Sequence, residues 1–383
     1  MPATITSHPA QAQGTTDKKG AQATLPQPFT RAAKEHQEPM FDVSQPLGGS
    51  SVALGPFDVP AYGYMRGIWL YITASGGVSS VSTAIKEDAP WNVLSELALI
   101  DVNGANLTGP INGYDLYLIN KWMGYNLGDP KLSSLYSAPV VGANGSGNFS
   151  LLLYVPVEIS QRDGLGALPN ANAASTYKLR TTIAPSTDIY STAPNTTLPT
   201  IRVRAWLDAW TQPNATDLRG NSNSTQPPAM GTTQYLSKTT INLSSGFQTP
   251  RMTRVGSYIR NLLFIYRDAS GSRSAGATAF PSDVSMYWDS KNLFTRNRDL
   301  WTAFQVRKTD YVQAVETAGG RDNGVWLEDF CHEFDGNVGN ELRDGWLGTV
   351  QSTRLELSGN FTSSGTLTII TNDVAPAGPI FME

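Results

Sequence analysis

Two segments of this 383-residue chain repeat one another, and that repeat constrains the fold more than any other feature. The first reads Arg66-Gly-Ile-Trp-Leu-Tyr-Ile-Thr-Ala-Ser-Gly76 and the second Arg260-Asn-Leu-Leu-Phe-Ile-Tyr-Arg-Asp-Ala-Ser-Gly271. Each sets an arginine two residues ahead of a five-residue apolar and aromatic run and closes with Ala-Ser-Gly, one residue later in the second copy. A run of that length between turn formers suits a strand buried on both faces. Its return about 190 residues on points to an internal duplication.

The surrounding order repeats as well. In the first half a strand-like stretch over 97–102 precedes a helical one, in which Tyr114, Leu118, Trp122 and Tyr125 recur at helix spacing; strands follow over 149–157, 177–183 and 201–210. In the second half a strand over 284–288 precedes a helical stretch carrying Leu293, Leu300, Trp301, Phe304 and Tyr311, with Asp289 and Ser290 as its caps. Strands follow over 325–334, 353–357 and 366–371. The chain reads as all-β: two tandem β-sandwiches, each with a short helix in a long inter-strand loop.

Composition places the boundaries. Residues 1–38 are polar and broken by Pro26 and Pro28, which suits a flexible arm. Residues 211–234 offer turn formers and little to bury, which suits a linker, so the sandwiches are expected at 39–210 and 235–376 with a tail at 377–383. Charged residues make up 16% and the net charge is −4, so there is no basic surplus for a phosphate backbone, and direct nucleic-acid binding is not expected. A single cysteine and three scattered histidines leave almost no material for metal or nucleophilic chemistry, so neither a cofactor nor an enzymatic activity is expected. No apolar run reaches the ~20 residues of a membrane helix, and no signal-peptide core opens the chain, which fits synthesis in a cytoplasm.

Three stretches resemble the double-jelly-roll major capsid proteins of membrane-containing icosahedral viruses, the tectivirus type in particular. They are Phe57-Asp-Val-Pro-Ala-Tyr-Gly-Tyr-Met-Arg-Gly-Ile-Trp-Leu-Tyr-Ile72; Leu153-Tyr-Val-Pro-Val-Glu-Ile-Ser-Gln-Arg-Asp-Gly-Leu-Gly-Ala-Leu168 with Tyr177-Lys-Leu-Arg180; and the helix-bearing region 292–307. The resemblance spans about 40–376. It implies two eight-stranded jelly rolls, and a homotrimer of pseudo-hexagonal outline that tiles a virion shell beside vertex and minor capsid proteins. It also implies an arm facing an internal lipid membrane. Here the arm departs from the helical, glutamine- and alanine-rich arm of that family, with several prolines and four cationic against three acidic side chains.

Candidate sites are few. Trp122, Tyr125, Trp326 and Trp346 sit beside glycines or at element ends and are candidate interface aromatics. His332, Glu333 and Asp335 form the densest polar cluster and a candidate cation site, though their spacing matches no metal loop. Glu158 and Asp163 are the carboxylates that a polysaccharide-cleaving enzyme would need, without spacing to support them. The competing class is a secreted or tail-associated glycan-binding β-sandwich protein.

Overall fold

The computed structural model describes residues 27–123, 129–161, 164–214, 216, 225–226, 232–309, 323–331 and 345–375. The first half is built on β1 (Glu35–Pro46), β2 (Val52–Asp58), β3 (Tyr64–Ser75), β4 (Leu94–Ile100), β5 (Asn106–Ile111), β6 (Phe149–Pro156), β7 (Lys178–Ile183) and β8 (Thr200–Trp210). The second is built on β9 (Thr233–Leu243), β10 (Gly246–Gln248), β11 (Tyr258–Asp268), β12 (Asp283–Trp288), β13 (Lys291–Asn297), β14 (Val325–Asp329), β15 (Leu355–Phe361) and β16 (Gly365–Ala375). Three helices matter below: α1 (Gly113–Trp122), α2 (Arg273–Ala279) and α3 (Arg298–Thr309).

In the first half the sheets run β1-β8-β3-β6 and β2-β7-β4-β5; in the second they run β9-β16-β11-β14 and β10-β15-β12-β13. Every strand therefore has its counterpart eight strands later, at the same place in the same sheet. Each half is an eight-stranded jelly roll, two antiparallel sheets closed over one core. The repeated motif is the third strand of each. In β3 the pleat sends Ile68, Leu70, Ile72 and Ala74 inward, fully buried or nearly so, and leaves Trp69 and Tyr71 half-buried on the outer face. Each fully buried aliphatic side chain contributes about 1.5–3 kcal/mol relative to exposure.

β11 is buried on both faces, as its sequence suggests, and the reason lies outside its own roll. Leu262, Phe264 and Tyr266 point into the second core, whereas Leu263 and Ile265 join the first half's core, as do Leu236, Leu327 and Ile370 on the other strands of its sheet. The sheet β9-β16-β11-β14 is thus shared between the halves. Its edge strand β9 also meets β5 in parallel at Leu236 and Thr108. α1 lies in this seam with all ten residues buried, started by a capping box in which Asn112 and Asp115 each bond the other's backbone N–H.

Several boundaries differ from expectation. The first roll begins before residue 39: β1 pairs with β8 along its whole length, from Glu35 opposite Trp210 to Pro46 opposite Thr200. Ahead of it Phe29 is fully buried against Tyr64 and Trp210. Proline in an edge strand costs no ladder bond when its missing N–H would face away, so Pro39 reads as loop in the sequence yet sits in β1. Residues 289–297 are not the start of a helix. Asp289 takes the left-handed conformation, φ 51°, in the turn joining β12 to β13, and its carboxylate accepts from the Thr353 and Arg354 N–H groups at 3.0 Å. Leu293 lies in β13, and the helix begins at Arg298. Most of the linker 211–234 and the tail from 376 lie outside the described residues.

Candidate assembly surfaces and the seam between the rolls

The arginines that open the two motifs are buried at one end of the molecule. Arg66 donates from Nε to Glu158 at 2.9 Å and from Nη1 to Glu35 at 3.1 Å and Asp208 at 3.5 Å, and lies 4.3 Å over the Trp210 ring. Glu158 also accepts from Trp210 Nε1 at 2.5 Å, and Asp208 from the Tyr154 hydroxyl at 3.2 Å. Burial pushes the Glu158 carboxyl up to about 7, with Arg66 and Trp210 pulling the other way, and it raises Asp208 as well. Burial works against the Arg66 charge, but Glu158 and Asp208 outweigh it and hold the guanidinium above its ordinary range. Arg260, the counterpart, reaches Gln234 at 3.4 Å, and Gln234 donates to the carbonyls of Val157 and Glu158, so the two arginine sites are joined.

A second polar cluster closes the opposite end of the seam. Asp88 of the first roll pairs with Arg267 at 2.7 Å and with the fully buried Arg273 at 3.1 Å. Glu87 accepts from the Arg273 N–H and the Ser272 hydroxyl, and these donors hold its carboxyl below the ordinary value although burial alone would raise it. Midway, Asp115 on α1 meets Lys238 on β9 at 2.6 Å. Partners this far apart in sequence carry no local signal, and none was legible before the fold.

The two long-loop helices occupy equivalent places, between the fifth and sixth strands of their rolls, and clamp the same strand edge. On α1, Asn120 donates to the Tyr154 carbonyl at 2.7 Å and accepts from the Tyr154 N–H at 2.8 Å. On α3, Gln305 accepts from the Leu327 N–H at 3.3 Å and Trp301 donates to the Leu327 carbonyl at 2.8 Å. Tyr154 and Leu327 are themselves counterparts, since they pair with Trp69 on β3 and Leu263 on β11. An exposed edge would invite pairing with another chain, and here a helix closes it twice.

Three of the sequence-derived interface aromatics belong to the interior. Trp122 is fully enclosed, Trp326 stacks on Phe280 at 3.9 Å, and Trp346 packs with Ile159, Cys331 and Val374 beneath Arg260. Side chains buried within their own chain cannot serve a neighbour, so the interface assignment of these three is corrected to core. Tyr125, Asp163, His332, Glu333 and Asp335 lie outside the described residues, and Glu158 is engaged by Arg66 and Trp210. Among the described residues no group of three or more His, Cys, Asp or Glu is placed to hold a metal ion, and no helix is long and apolar enough to cross a membrane.

The strand order defines the class of the molecule: a double jelly roll. By sequence, no family model and no curated protein matches the chain. Among solved structures it is similar to the STIV MCP, from the Sulfolobus turreted icosahedral virus, at 11% identity and a TM-score of 0.61, covering 90% of this chain and 97% of that one. It is similar to the major capsid protein P2 from bacteriophage PM2 at 11% identity and 0.55, over 91% and 99%, and to the PBCV-1 virus capsid at 13% and 0.58, over 89% and 93%. At such identities the likeness is one of fold, and it extends over nearly the whole of each chain.

Proposed function

We propose that this chain is a major capsid protein of the tectivirus type, which works by self-assembly into the shell of an icosahedral virion. The observation that carries the reading is the pair of jelly rolls in identical strand order, locked by a shared sheet and a buried helix, over the full length of capsid proteins with the same fold. Two equivalent rolls in one rigid chain give a building block whose threefold ring has six similar lobes, a shape that tiles a facet. The partners are then further copies of itself, vertex and minor capsid proteins at the edges, and an internal membrane beneath. The first described residues, the two described ends of the crossing between rolls and the end of β16 all gather where β3 and β11 begin, since Lys34 bonds Thr211 and Thr233 pairs with Ala375. That end faces the virion interior in this reading.

Light scattering on the purified protein tests the proposal. A trimer of about 124 kDa, three times the 41.3 kDa of one chain, with a hexagonal outline in negative stain, is expected. A stable monomer that binds glycans on an array would overturn it in favour of a carbohydrate-binding sandwich.

A further inference from the structure

The seam inside the chain has two halves, and the duplication supplies a second, unfilled copy of each. One half is the outer face of β9-β16-β11-β14, where Leu263, Ile265, Leu327 and Ile370 are buried against the first roll. Strand register places Trp69, Tyr71, Tyr154 and Trp206 of β1-β8-β3-β6 at the equivalent points. Among the described residues that face stays partly open: Trp69, Tyr71 and Trp206 are half-buried while Tyr154 is buried, and Arg204 lies over the rings of Tyr71 and Trp206 at 4.6 and 5.7 Å. Aromatic residues and arginine are the side chains enriched at protein interfaces.

The other half of the seam is α1, and its equivalent is α3. Superposing the edge clamps, Asn120 on Gln305, sets Asp115 over Leu300 and Ile119 over Phe304. Asp115 reaches Lys238 of β9 and Ile119 is fully buried in the shared core, whereas Leu300 is 50% and Phe304 44% exposed. The register that places Trp206 at Ile370 also places Pro39 at Lys238. The positions equivalent to the charged pair Asp115 and Lys238 are thus the apolar Leu300 and Pro39, so both surfaces change character together.

We infer that a second copy of this chain covers the outer face of β1-β8-β3-β6, and that it does so with α3. The contact is head-to-tail, so repeating it generates a closed ring rather than an isolated pair when the rotation closes. This inference rests on the assembly reading above and assigns the surfaces by which it is achieved.

The test pairs two measurements on the full chain. The variant Leu300→Glu with Phe304→Glu, and separately Trp206→Glu, should run near 41.3 kDa by light scattering, with unchanged far-ultraviolet circular dichroism and a cooperative melt. In otherwise native protein, a photoreactive benzoylphenylalanine in place of Phe304 should cross-link, between isotopically distinct copies, to peptides from β1, β3 or β8. Variants that remain trimeric, or cross-links that map elsewhere, overturn the inference while leaving the capsid reading intact. An unmodified protein that is itself monomeric overturns both, and the cross-link decides the matter should a variant fail to fold.

Discussion

Arg66 shows how much of the molecule's chemistry rests on single side chains. Its guanidinium holds the start of β1 through Glu35, the end of β6 through Glu158 and the end of β8 through Asp208. Removing one partner from such a buried group leaves an uncompensated charge, which typically costs about 3–5 kcal/mol. Glu158 makes the network pH-dependent. Its carboxyl sits at about 7 in the folded chain against an ordinary 4.5, so the folded state binds the extra proton between those values. The favourable contribution is complete below about pH 4.5 and is lost as pH rises to about 7, a span worth about 3 kcal/mol. Glu158→Gln keeps the shape and removes the titration. Its melting temperature should therefore gain on that of the unmodified protein between pH 4.5 and pH 8, and a difference that stays constant across that range would show that Glu158 does not titrate there. The sequence marks Arg66 as the head of a motif, but only the fold reveals the three carboxylates converging on it from 31, 92 and 142 residues away in the chain.

Among elements, the long-loop helices and the strand edges they close carry the clearest consequence of the duplication. Asn120→Ala deprives both backbone groups of Tyr154 of their partner at an enclosed edge, and an unsatisfied buried group costs about 1–3 kcal/mol. Gln305→Ala takes the partner from the Leu327 N–H but leaves the Leu327 carbonyl with its Trp301 donor, so the cost at that edge should be the smaller. Urea unfolding midpoints at unchanged slope measure both, and equal losses would contradict this unequal division of the edge bonds. The elements themselves were unevenly legible. The motif strands, the last strands of each roll and the presence of one helix per long loop follow from apolar runs and turn residues. The fifth strand of each roll was missed, β5 because Gly109 and Pro110 interrupt it and β13 because Leu293 falls at helix spacing from Leu300. A seven-residue strand and two helical turns look alike when only a few apolar positions mark them.

For the molecule as a whole, the position of the amino-terminal boundary has a direct test. Removing residues 1–26 should leave the melting temperature and the trimer unchanged. Removal through residue 38 should destabilise by about 3 kcal/mol or more, since it takes away the fully buried Phe29, whose truncation alone is worth that much, together with the first four residues of β1. Equal stability of the two truncations, by thermal melting, would return residues 27–38 to the arm. What the sequence by itself determined is the duplication, the β class and the sparse charge, because these are properties of local patterning: apolar runs, turn formers and residue counts. What only the tertiary structure decided is which repeated surfaces are filled. Leu263 and Trp69 stand at equivalent points of equivalent strands, yet one is buried by the neighbouring roll and the other is left half-covered. Local sequence sets which way a side chain points along the pleat, but the packing of one roll on the other decides what lies opposite it, and that contact joins residues more than 100 positions apart.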